Sequence, residues 1–451
     1  MKKIIGTIIL ILSFLINKNV FSDEFSRIIS FNSWSEKNNY IYRIGCDEEK
    51  LRNIFCYDSK DKNPLWLNKD ANLKVKFYKN RWSLPEKSSP NFDTLFYYFY
   101  KYNFSHLVYD RGTYNWKRYE IEPNNKFYKF EKKLSEDNNV KKEMNKTALL
   151  SYLFYEDDKI VVDELSPKDR FGDFVNNDTK LRSMSMGKTM VSYVMGHAIC
   201  EGYIDSVDSR LNDWPLVKNT LYEDQKLIDL LNMAAGDQKY VNRSNFKDGS
   251  EIDTRLMSNL MFKMRGLKKS GKSYNYNNIP PKLLLNYISF KVGDNYENLL
   301  KEIFQKKVKI KESVYFFKNY QGTKEYGILD DMFFATRYDY LRIAKAILDD
   351  WQNDTCVGKY LKTIYENRIS KIGFKQARDR GDSFHGTKSY AGFFHTDYLG
   401  MKNRKVMGMS GYGGNEIIID FERSRILVIH SIHQNYNWKK IARSAIKKGI
   451  N

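Results

Sequence analysis

The chain has 451 residues, of which 42% are hydrophobic and 15% are aromatic. This length exceeds that of one average domain, and the apolar content is sufficient for a large core, which excludes disorder of the whole chain. The formal net charge of +20 comes from 75 Lys and Arg residues against 55 Asp and Glu residues. Because the basic residues are scattered among acidic ones, we favour a solvated, Lys-rich surface and no nucleic-acid partner over a polyanion-binding site.

The first 22 residues have the pattern of an export signal. Lys2 and Lys3 precede an apolar run at 4–16, and Val20-Phe21-Ser22 fits a signal-peptidase site. The run is shorter than the roughly 20 residues that cross a bilayer. We therefore predict a bacterial protein that is periplasmic or secreted, with no transmembrane segment after signal removal. An uncleaved anchor is the alternative.

The cysteines bear on disulfide bonding and on metal binding. In an oxidising compartment Cys46, Cys56, Cys200 and Cys356 allow three pairings. We favour Cys46 with Cys56, which closes a short local loop, whereas a buried free thiol is equally compatible with Cys200. No CxxC or HxxxH spacing supports a metal site, so we predict neither a metal nor another cofactor.

Residues 23–147 are predicted to form an N-terminal extension of unknown fold. The aromatic stretch at 94–102 has the composition of a helix or a buried strand. The stretch at 131–146 is charged and has no continuous apolar face. It is the best candidate for a domain boundary.

The chain from 148 to 451 has a more regular pattern. An amphipathic helix begins at Ser185, with apolar residues at i, i+3 and i+4, and ends before Gly202. The remaining predicted elements are a hairpin of 150–155 and 159–162, helices at 227–233, 282–291, 296–303 and 338–351, a hairpin of 415–420 and 426–432, and a closing helix at 438–448. Strands at both ends with helices between them predict an α+β domain.

Ser185-Met186-Gly187-Lys188 is an S-x-x-K at the start of that helix. Residues at i and i+3 lie on one helical face, so the hydroxyl of Ser185 and the amine of Lys188 can meet. A serine hydroxyl becomes a good nucleophile when a neighbouring base takes its proton, and lysine can serve if its surroundings keep part of it neutral. The alternative is a helix-capping serine beside a surface lysine.

Two competing motifs overlap this segment. Gly187-Lys188-Thr189 ends like a phosphate-binding loop, but Arg182 stands where that motif needs its first Gly. The segment 183–187 approximates the G-x-S-x-G elbow of α/β-hydrolases, which also needs an apolar strand before it. The preceding residues 177–182 are mostly polar, so neither motif fits well.

Two later segments can serve the same chemistry. Tyr276 and Asn278 form a Y-x-N just before a helix, where the phenol can carry a proton and the amide can bind a substrate amide. An Asn-rich loop with a packing aromatic is the alternative. The Gly-rich run at 408–415 enters a terminal strand, and its backbone N–H groups can complete an oxyanion hole. A flexible loop before a strand is the alternative.

The histidines offer a second nucleophile-activating arrangement. His385 or His395 precedes the Gly-rich run and could complete a Ser-His-Asp triad, although satisfied surface or core positions are more common for such residues. His430 and His433 point to opposite faces of a regular strand, which makes a metal pair unfavourable. The other histidines are His106 and His197.

These segments occur in an order that resembles the serine β-lactamase and penicillin-binding-protein superfamily over residues 148–445. Within it, the chain is most similar to the β-lactamase-related hydrolases, which include esterases, D-amino-acid peptidases and the 6-aminohexanoate-dimer hydrolase. Residues 230–236 look like the LLxMxSG segment of that group, and 334–339 look like its (F/Y)ATARD segment. The resemblance implies an antiparallel sheet flanked by helices with an all-helical subdomain.

The resemblance also implies roles for individual residues. Ser185 would be the acylated nucleophile, Lys188 its base and Tyr276 the second proton carrier. The substrate would contact Asn278, Ser410, Gly411 and Tyr412, and the backbone N–H groups of Tyr412 and Ser185 would form the oxyanion hole. The K-T-G or H-x-G motif of the family appears here as Met409-Ser410-Gly411, so the cation or imidazole that precedes it is replaced.

We therefore expect a signal peptide at 1–22, an extension at 23–147 and a β-lactamase-like domain at 148–451. The predicted activity is hydrolysis of an amide or ester bond in a small molecule or short peptide, through an acyl-enzyme. The alternative is a catalytically silent protein on the same fold that binds a cell-envelope peptide or glycan. A polyanion-binding envelope protein is a third hypothesis. The sequence leaves the oligomeric state open.

Overall fold

The computed structural model describes residues 84–103 except 86, 116–319 except 173, 251 and 253–256, 328–371, and 386–450 except 402. The predicted signal peptide, Cys46, Cys56, His106 and His385 lie outside these residues. The described residues belong to two compact units, one containing 84 and 90–103 and the other containing 85–89 and 116–450. Among them, no helix combines the length and apolar character needed to cross a membrane.

The smaller unit contains the helix α1 (Phe92–Asn103). Sequence analysis left this stretch open between a helix and a strand, and the structure resolves it as a helix. Phe96 contacts Phe92 and Phe99, at i−4 and i+3, with ring centroids 5.9 and 5.8 Å apart. Such contacts are available on a helix and not along a strand, where residues three apart face opposite sides and residues four apart are roughly 13 Å distant.

A large sheet organises the other unit. Its strand order is β10-β11-β12-β13-β14-β15-β3-β4-β2, and neighbours are antiparallel except for the parallel pair β2 and β4. The strands are β2 (Glu131–Lys132), β3 (Leu149–Glu156), β4 (Lys159–Leu165), β10 (Ile369–Ser370), β11 (Thr387–Ala391), β12 (Phe394–Tyr398), β13 (Val406–Gly411), β14 (Asn415–Asp420) and β15 (Arg425–Ser431). Both predicted hairpins, β3 with β4 and β14 with β15, are confirmed.

Helices cover both faces of this sheet. On one face, Leu427 and Ile429 of β15 join a core cluster with α2 (Asn138–Lys146) and the C-terminal helical segment, which runs through 439–443 into α10 (Ser444–Lys448). On the other face, His430 packs its ring 4.8 Å from Tyr340 of α8 (Arg337–Gln352). Successive residues of a strand face opposite sides of the sheet. Because both sides are buried here, these strands are uninterrupted apolar runs.

The charged stretch at 131–146 is part of this arrangement. It contributes β2 and α2, and α2 buries Val140 and Met144 against the sheet. Its two apolar residues stand four apart, which makes a narrow buried stripe in an otherwise polar helix. The proposed division of the chain at residue 147 stays a prediction, although elements before and after that residue share this sheet.

A second, antiparallel sheet has the order β1-β8-β9-β5, with β1 (Trp116–Ile121), β5 (Lys180–Arg182), β8 (Val314–Asn319) and β9 (Ile328–Thr336). Between β5 and β8 the described chain is mainly helical, apart from the short hairpin of β6 (Val241–Asn242) and β7 (Asn245–Phe246). The helices are α3 (Met186–Cys200), α4 (Leu227–Leu231), α5 (Met257–Lys263), α6 (Ile279–Val292) and α7 (Tyr296–Lys301), and α9 (Cys356–Glu366) follows α8. The predicted α+β class is confirmed, and the subdomain is helical except for that hairpin.

The helix α3 is central to the larger unit. We predicted it as amphipathic, but the structure buries it on nearly every side, including the polar residues Lys188, Ser192 and His197. It lies among β9, α6, α9 and β13, so no side of its first four turns faces solvent. A disulfide joins its last residue, Cys200, to Cys356 at the start of α9. This bond excludes the free thiol that sequence analysis allowed at Cys200.

His430 makes the stability of this fold sensitive to acid. Burial, with a smaller contribution from Arg337, lowers the pKa of His430 to about 3, and neither ring nitrogen has a hydrogen-bond partner in the described residues. An unfolded histidine binds its proton below about pH 6.5, so this contribution is present above pH 6.5 and is lost as the pH falls toward 3. We expect a loss of about 2 kcal/mol at pH 5 from this residue alone.

Urea unfolding at pH 7 and pH 5 measures this effect. The variant His430→Leu should show a smaller loss of stability between the two pH values than the natural chain. An identical pH dependence in both proteins would contradict the assignment.

Candidate active site

Ser185 stands at the junction between β5 and α3. The N–H of Ser183 donates to the carbonyl of Phe333 in β9 (2.8 Å), and Met184 then adopts a left-handed conformation with φ of 49°. A non-glycine residue rarely adopts this conformation unless its surroundings enforce it. Ser185 occupies the N-cap position, yet its side chain makes no capping hydrogen bond. Its hydroxyl is therefore not used to cap the helix, contrary to the structural alternative for this serine.

Lys188 lies under this serine, inside the protein. Its Nζ is 3.5 Å from Ser185 Oγ and 3.1 Å from Asp331 Oδ2, and it lies 5.5 Å from the ring centroid of Tyr276. Lys188 and Asp331 are each only 5% exposed. The structure thus excludes the alternative of a surface lysine, and it brings three of the predicted residues and one unpredicted carboxylate together.

The charge state of Lys188 follows from this neighbourhood. Burial disfavours its ammonium form, but the Asp331 carboxylate, Tyr276 and Asp330 together raise the pKa of Lys188 above its ordinary value. Burial likewise disfavours the Asp331 carboxylate, and Lys188 and Lys282 reverse this effect and lower the pKa of Asp331. The pair is therefore an ammonium and a carboxylate at neutral pH. Sequence analysis expected an environment that keeps Lys188 partly neutral, so the structure differs on this point.

Gly187 makes the contact with Asp331 possible. A Cβ atom at Gly187 would overlap the backbone oxygen of Asp331 and lie 2.9 Å from Ser183 Oγ. Any larger residue would push β9 away from the first turn of α3. The glycine inside the S-x-x-K thus sets the distance between Lys188 and the carboxylate.

A buried carboxylate holds the loop that carries Tyr276. Asp237 accepts hydrogen bonds from Asn275 Nδ2 (2.7 Å), Asn277 Nδ2 (3.0 Å) and Tyr222 Oη (2.9 Å). Asn275 and Asn277 alternate along the chain with Tyr274, Tyr276 and Asn278, and these three residues line a cavity instead. This alternation explains why the loop is rich in Asn. The side chains of Asn275 and Asn277 bind Asp237, and the residues on either side of them line the cavity.

The Gly-rich run is a strand rather than the loop that sequence analysis allowed. Residues 406–411 form β13 beside β14, and only 412–414 form the turn. A Cβ atom at Gly411 would lie 2.5 Å from the carbonyl oxygen of Ser183, so this glycine permits close packing against the segment that leads into Ser185. Ser410 donates to Glu416 Oε1 (3.0 Å), and Met409 is fully buried away from the cavity.

A cavity of about 290 Å³ joins these segments. Among the described residues that line it, none is acidic, and the set includes every predicted site residue except Lys188, which lies beneath the wall. The lining residues are Ser185, Arg243, Ser244, Tyr274, Tyr276, Asn278, His395, Ser410, Gly411, Tyr412 and Gln434. Asn278 donates to Ser244 Oγ at 3.3 Å, so its amide is positioned by the β6–β7 turn.

His395 lies in the same cavity but in an arrangement unlike that of a triad base. The Nζ of Lys371 is 3.1 Å from its Nδ1, and the ring of Tyr390 lies edge-on at 5.2 Å. An ammonium has only donors, so Nδ1 acts as the acceptor and Nε2 carries the proton. A histidine in this tautomer cannot accept the proton of Ser185, which argues against the Ser-His-Asp alternative. The described residues also contain no cluster of ligands suited to a metal ion.

Sequence analysis missed Asp331, Asp237 and Lys371. A signal did exist for Asp331, since Asp330 and Asp331 are two adjacent acids inside the apolar run of β9. Charges in such a strand are unfavourable unless they are paired, which marks them for a structural or chemical role. Asp237 and Lys371 had no comparable signal, because their partners are distant in sequence.

The supporting motif at 334–339 has a structural role. Arg337 of the 334–339 segment is buried and binds Asp163 (2.6 Å), Ser151 and two backbone carbonyls, which fixes α8 to β3 and β4. Asp339 accepts from the N–H groups of Lys311 and Glu312. These residues hold the two sheets together and do not reach the cavity.

Comparison with known structures identifies the fold. A protein assigned as a 6-aminohexanoate-dimer hydrolase from Bacillus anthracis aligns with a TM-score of 0.55 and 12% identity, over 83% of this chain and 96% of that one. An octameric penicillin-binding protein homologue from Pyrococcus abyssi gives 0.47 and 17%, over 66% and 73%. A class C β-lactamase from Rhodobacter sphaeroides gives 0.45 and 14%, over 65% and 92%. No protein-family profile and no curated sequence matches the chain.

The chain therefore has the fold of the protein assigned as a 6-aminohexanoate-dimer hydrolase, one of the groups that the order of its motifs resembles. This conclusion rests on the first of these alignments together with the mixed, mainly antiparallel architecture. At 12% identity the similarity establishes the fold alone. The chemistry has to be argued from the cavity.

The Asp237 network generates a test of how Tyr276 is held. In Asp237→Asn, an NH2 group faces donors from the two asparagines and Tyr222, so we expect a loss of about 2 kcal/mol and faster hydrogen exchange at 274–278. The matched control is Asp229→Asn, whose carboxylate pairs with the largely exposed Lys272 and should matter little. Urea unfolding and hydrogen exchange give the two readouts. Equal effects of both substitutions would contradict the anchoring role.

Proposed function

We propose that this chain is an exported serine hydrolase that cleaves an amide or ester bond through an acyl-enzyme on Ser185. The observation that carries the proposal is the 3.5 Å separation of Ser185 Oγ and Lys188 Nζ at the wall of one cavity. A hydroxyl aligned with a buried amine, and free of a capping role, is suited to nucleophilic attack. The hydrolase name of the Bacillus anthracis neighbour, which aligns over 83% of this chain, supports the reaction class.

The proposed reaction has two steps. In the first, Ser185 Oγ attacks the carbonyl carbon, its proton passes to Lys188, and Tyr276 donates a proton to the leaving group. The backbone N–H groups of Ser185 and Tyr412 would stabilise the oxyanion. In the second step, water hydrolyses the acyl-enzyme and regenerates the serine.

The other cavity residues would bind the substrate. Asn278, Ser410 and Gly411 offer an amide, a hydroxyl and backbone groups along the wall that begins at Ser185. Met409 is uncharged and lies outside the lining, so this position would contribute no cation for a substrate carboxylate. The size of the cavity suits a small molecule or a short peptide.

We also propose that the chain is exported to the periplasm or beyond. The Cys200–Cys356 disulfide supports this proposal, because disulfides persist mainly in oxidising compartments. The division into a signal peptide at 1–22, an extension at 23–147 and a hydrolase domain at 148–451 belongs to the same proposal.

A fluorophosphonate probe tests the nucleophile. It should label the folded natural chain, with the adduct on Ser185, and Ser185→Ala should abolish labelling. Lys188→Met should slow labelling by about 10²-fold or more, whereas Tyr276→Phe should slow the cleavage of amides more than labelling, because fluoride leaves without a proton. Ser444→Ala removes a serine of the C-terminal helix α10, outside the cavity lining, and should be labelled like the natural chain.

The same experiment separates the two candidate functions. Equal labelling of the natural chain and Ser185→Ala would refute the assignment. An unlabelled natural chain that also fails to cleave short esters, linear amides and D-amino peptides would instead indicate a silent binding protein for an envelope peptide or glycan.

A further inference from the structure

The base of the cavity contains a row of buried charges on adjacent elements. Lys188 of α3 pairs with Asp331 of β9 at 3.1 Å, and Lys282 of α6 pairs with Asp330 at 2.6 Å. Lys282 also approaches Asp331 at 4.0 Å. Desolvating two ion pairs costs several kcal/mol per ion unless their geometry offsets it, so a fold with no use for them would gain by replacing them with apolar residues.

The Lys188–Asp331 pair creates a chemical requirement at Ser185. As an ammonium, Lys188 can donate to Ser185 Oγ but has no lone pair with which to take its proton. The proposed acylation therefore needs a second group to which Lys188 can release a proton. Asp331 is the carboxylate in contact with Nζ, and it lies on the side of Lys188 away from the cavity lining.

We propose that Asp331 completes a Ser185–Lys188–Asp331 proton relay. This inference rests on the proposed hydrolase function and deepens it. As Ser185 Oγ bonds to the carbonyl carbon, its proton moves to Lys188 Nζ, and Nζ releases another proton to Asp331 Oδ2. Lys188 is an ammonium before and after the step, and Asp331 changes from a carboxylate to a carboxylic acid.

The charges balance through this step. The negative charge lost at Asp331 appears on the carbonyl oxygen, which becomes the oxyanion. When the tetrahedral intermediate collapses, the leaving group takes a proton from Tyr276, Lys188 restores it to Tyr276, and Asp331 restores it to Lys188. The carbonyl double bond re-forms as the bond to the leaving group breaks, so no outside acid or base is required.

Geometry distinguishes Asp331 from its neighbour Asp330. Asp330 binds Lys282 through one oxygen and the N–H of Met332 through the other, at 2.6 and 2.9 Å. Neither of these oxygens is hydrogen-bonded to Lys188 Nζ, so Asp330 acts on Lys188 through its charge alone. It provides a control carboxylate on the same strand, with the same buried setting.

The relay predicts how the rate of acylation of Ser185 depends on pH, which a purely structural ion pair does not. It operates while Asp331 is ionised and Lys188 is protonated, and the groups that face this pair are Ser185, Tyr276, Asp330 and Lys282. Because the pKa of Asp331 is lowered and that of Lys188 is raised, acylation should be flat across neutral pH. Without the carboxylate, Lys188 must first lose its proton to solvent, so acylation should rise with pH.

The experiment measures the rate at which a fluorophosphonate phosphonylates Ser185, as a stand-in for acylation, from pH 6 to 10 in the full chain. We expect Asp331→Asn to react about 10²-fold more slowly at pH 7 and to recover as the pH rises. Asp330→Asn should keep the natural profile and stay within about threefold of its rate, because Asp330 is bound to Lys282 and to the N–H of Met332 and does not accept a proton from Lys188. A flat profile for Asp331→Asn, or the same alkaline recovery in Asp330→Asn, would overturn the relay.

Asp331→Glu covers the case in which the asparagine variant does not fold. It keeps a carboxylate one methylene further along, so it should react more slowly but retain the flat profile. A rising profile in Asp331→Glu would contradict the proposal.

A titration of Lys188 by NMR of labelled lysine distinguishes failure of the relay from failure of the hydrolase assignment. Its pKa should fall in Asp331→Asn whether or not Ser185 reacts with any probe. An unlabelled natural chain would remove the proposed function, whereas a normally labelled chain with an unchanged Lys188 titration in Asp331→Asn would remove the relay alone.

Discussion

The site depends on one close approach, that of β9 to the first turn of α3. With glycine at position 187, the backbone of Asp331 reaches the helix without a steric barrier, and this contact brings a carboxylate to Lys188 Nζ. The same strand binds Ser183 through its backbone at Phe333 and so fixes the residues that precede the nucleophile. Because packed interiors tolerate little change in volume, a single glycine determines both the position of Ser185 and the charge state of Lys188.

A second close approach fixes the segment from its other side. Gly411 of β13 packs against the carbonyl of Ser183, so the turn at Met184 is held between strands of two different sheets. Its left-handed backbone is unfavourable for methionine by itself and has to be maintained by these neighbours. The strain leaves the hydroxyl of Ser185 outside a capping geometry and directed at the cavity. The proposed nucleophile Ser185 and strand β13 are thus positioned by backbone contacts, which do not depend on long flexible side chains.

Local pattern was sufficient to predict the elements with strong periodicity. The hairpins β3–β4 and β14–β15, the helix after Ser185 and the helices α6 and α8 follow from runs that are apolar at one spacing. The short strands β5 and β10, and the strand character of the Gly-rich β13, were not predicted, since pairing with distant strands stabilises them and composition does not reveal it. The same limit applies to the site. Ser185, Tyr276 and Ser410 came from ordered motifs, whereas Asp331 is 143 residues from Lys188 and is joined to it only by the fold.

The two buried carboxylates near the site, Asp237 and Asp331, have different roles. Asp237 is buried among neutral donors, and burial raises its pKa against the effect of its hydrogen bonds, so it serves to hold two asparagines and through them the backbone of Tyr276. Asp331 faces an ammonium, which lowers its pKa, and the net charge of the pair is the same before and after a proton passes between the two groups. A carboxylate that only positioned Lys188 would not need to be charged, since an amide of the same shape could accept the same hydrogen bond. A buried ion pair beneath the proposed nucleophile Ser185 is therefore better explained by the proposed proton movement than by stability.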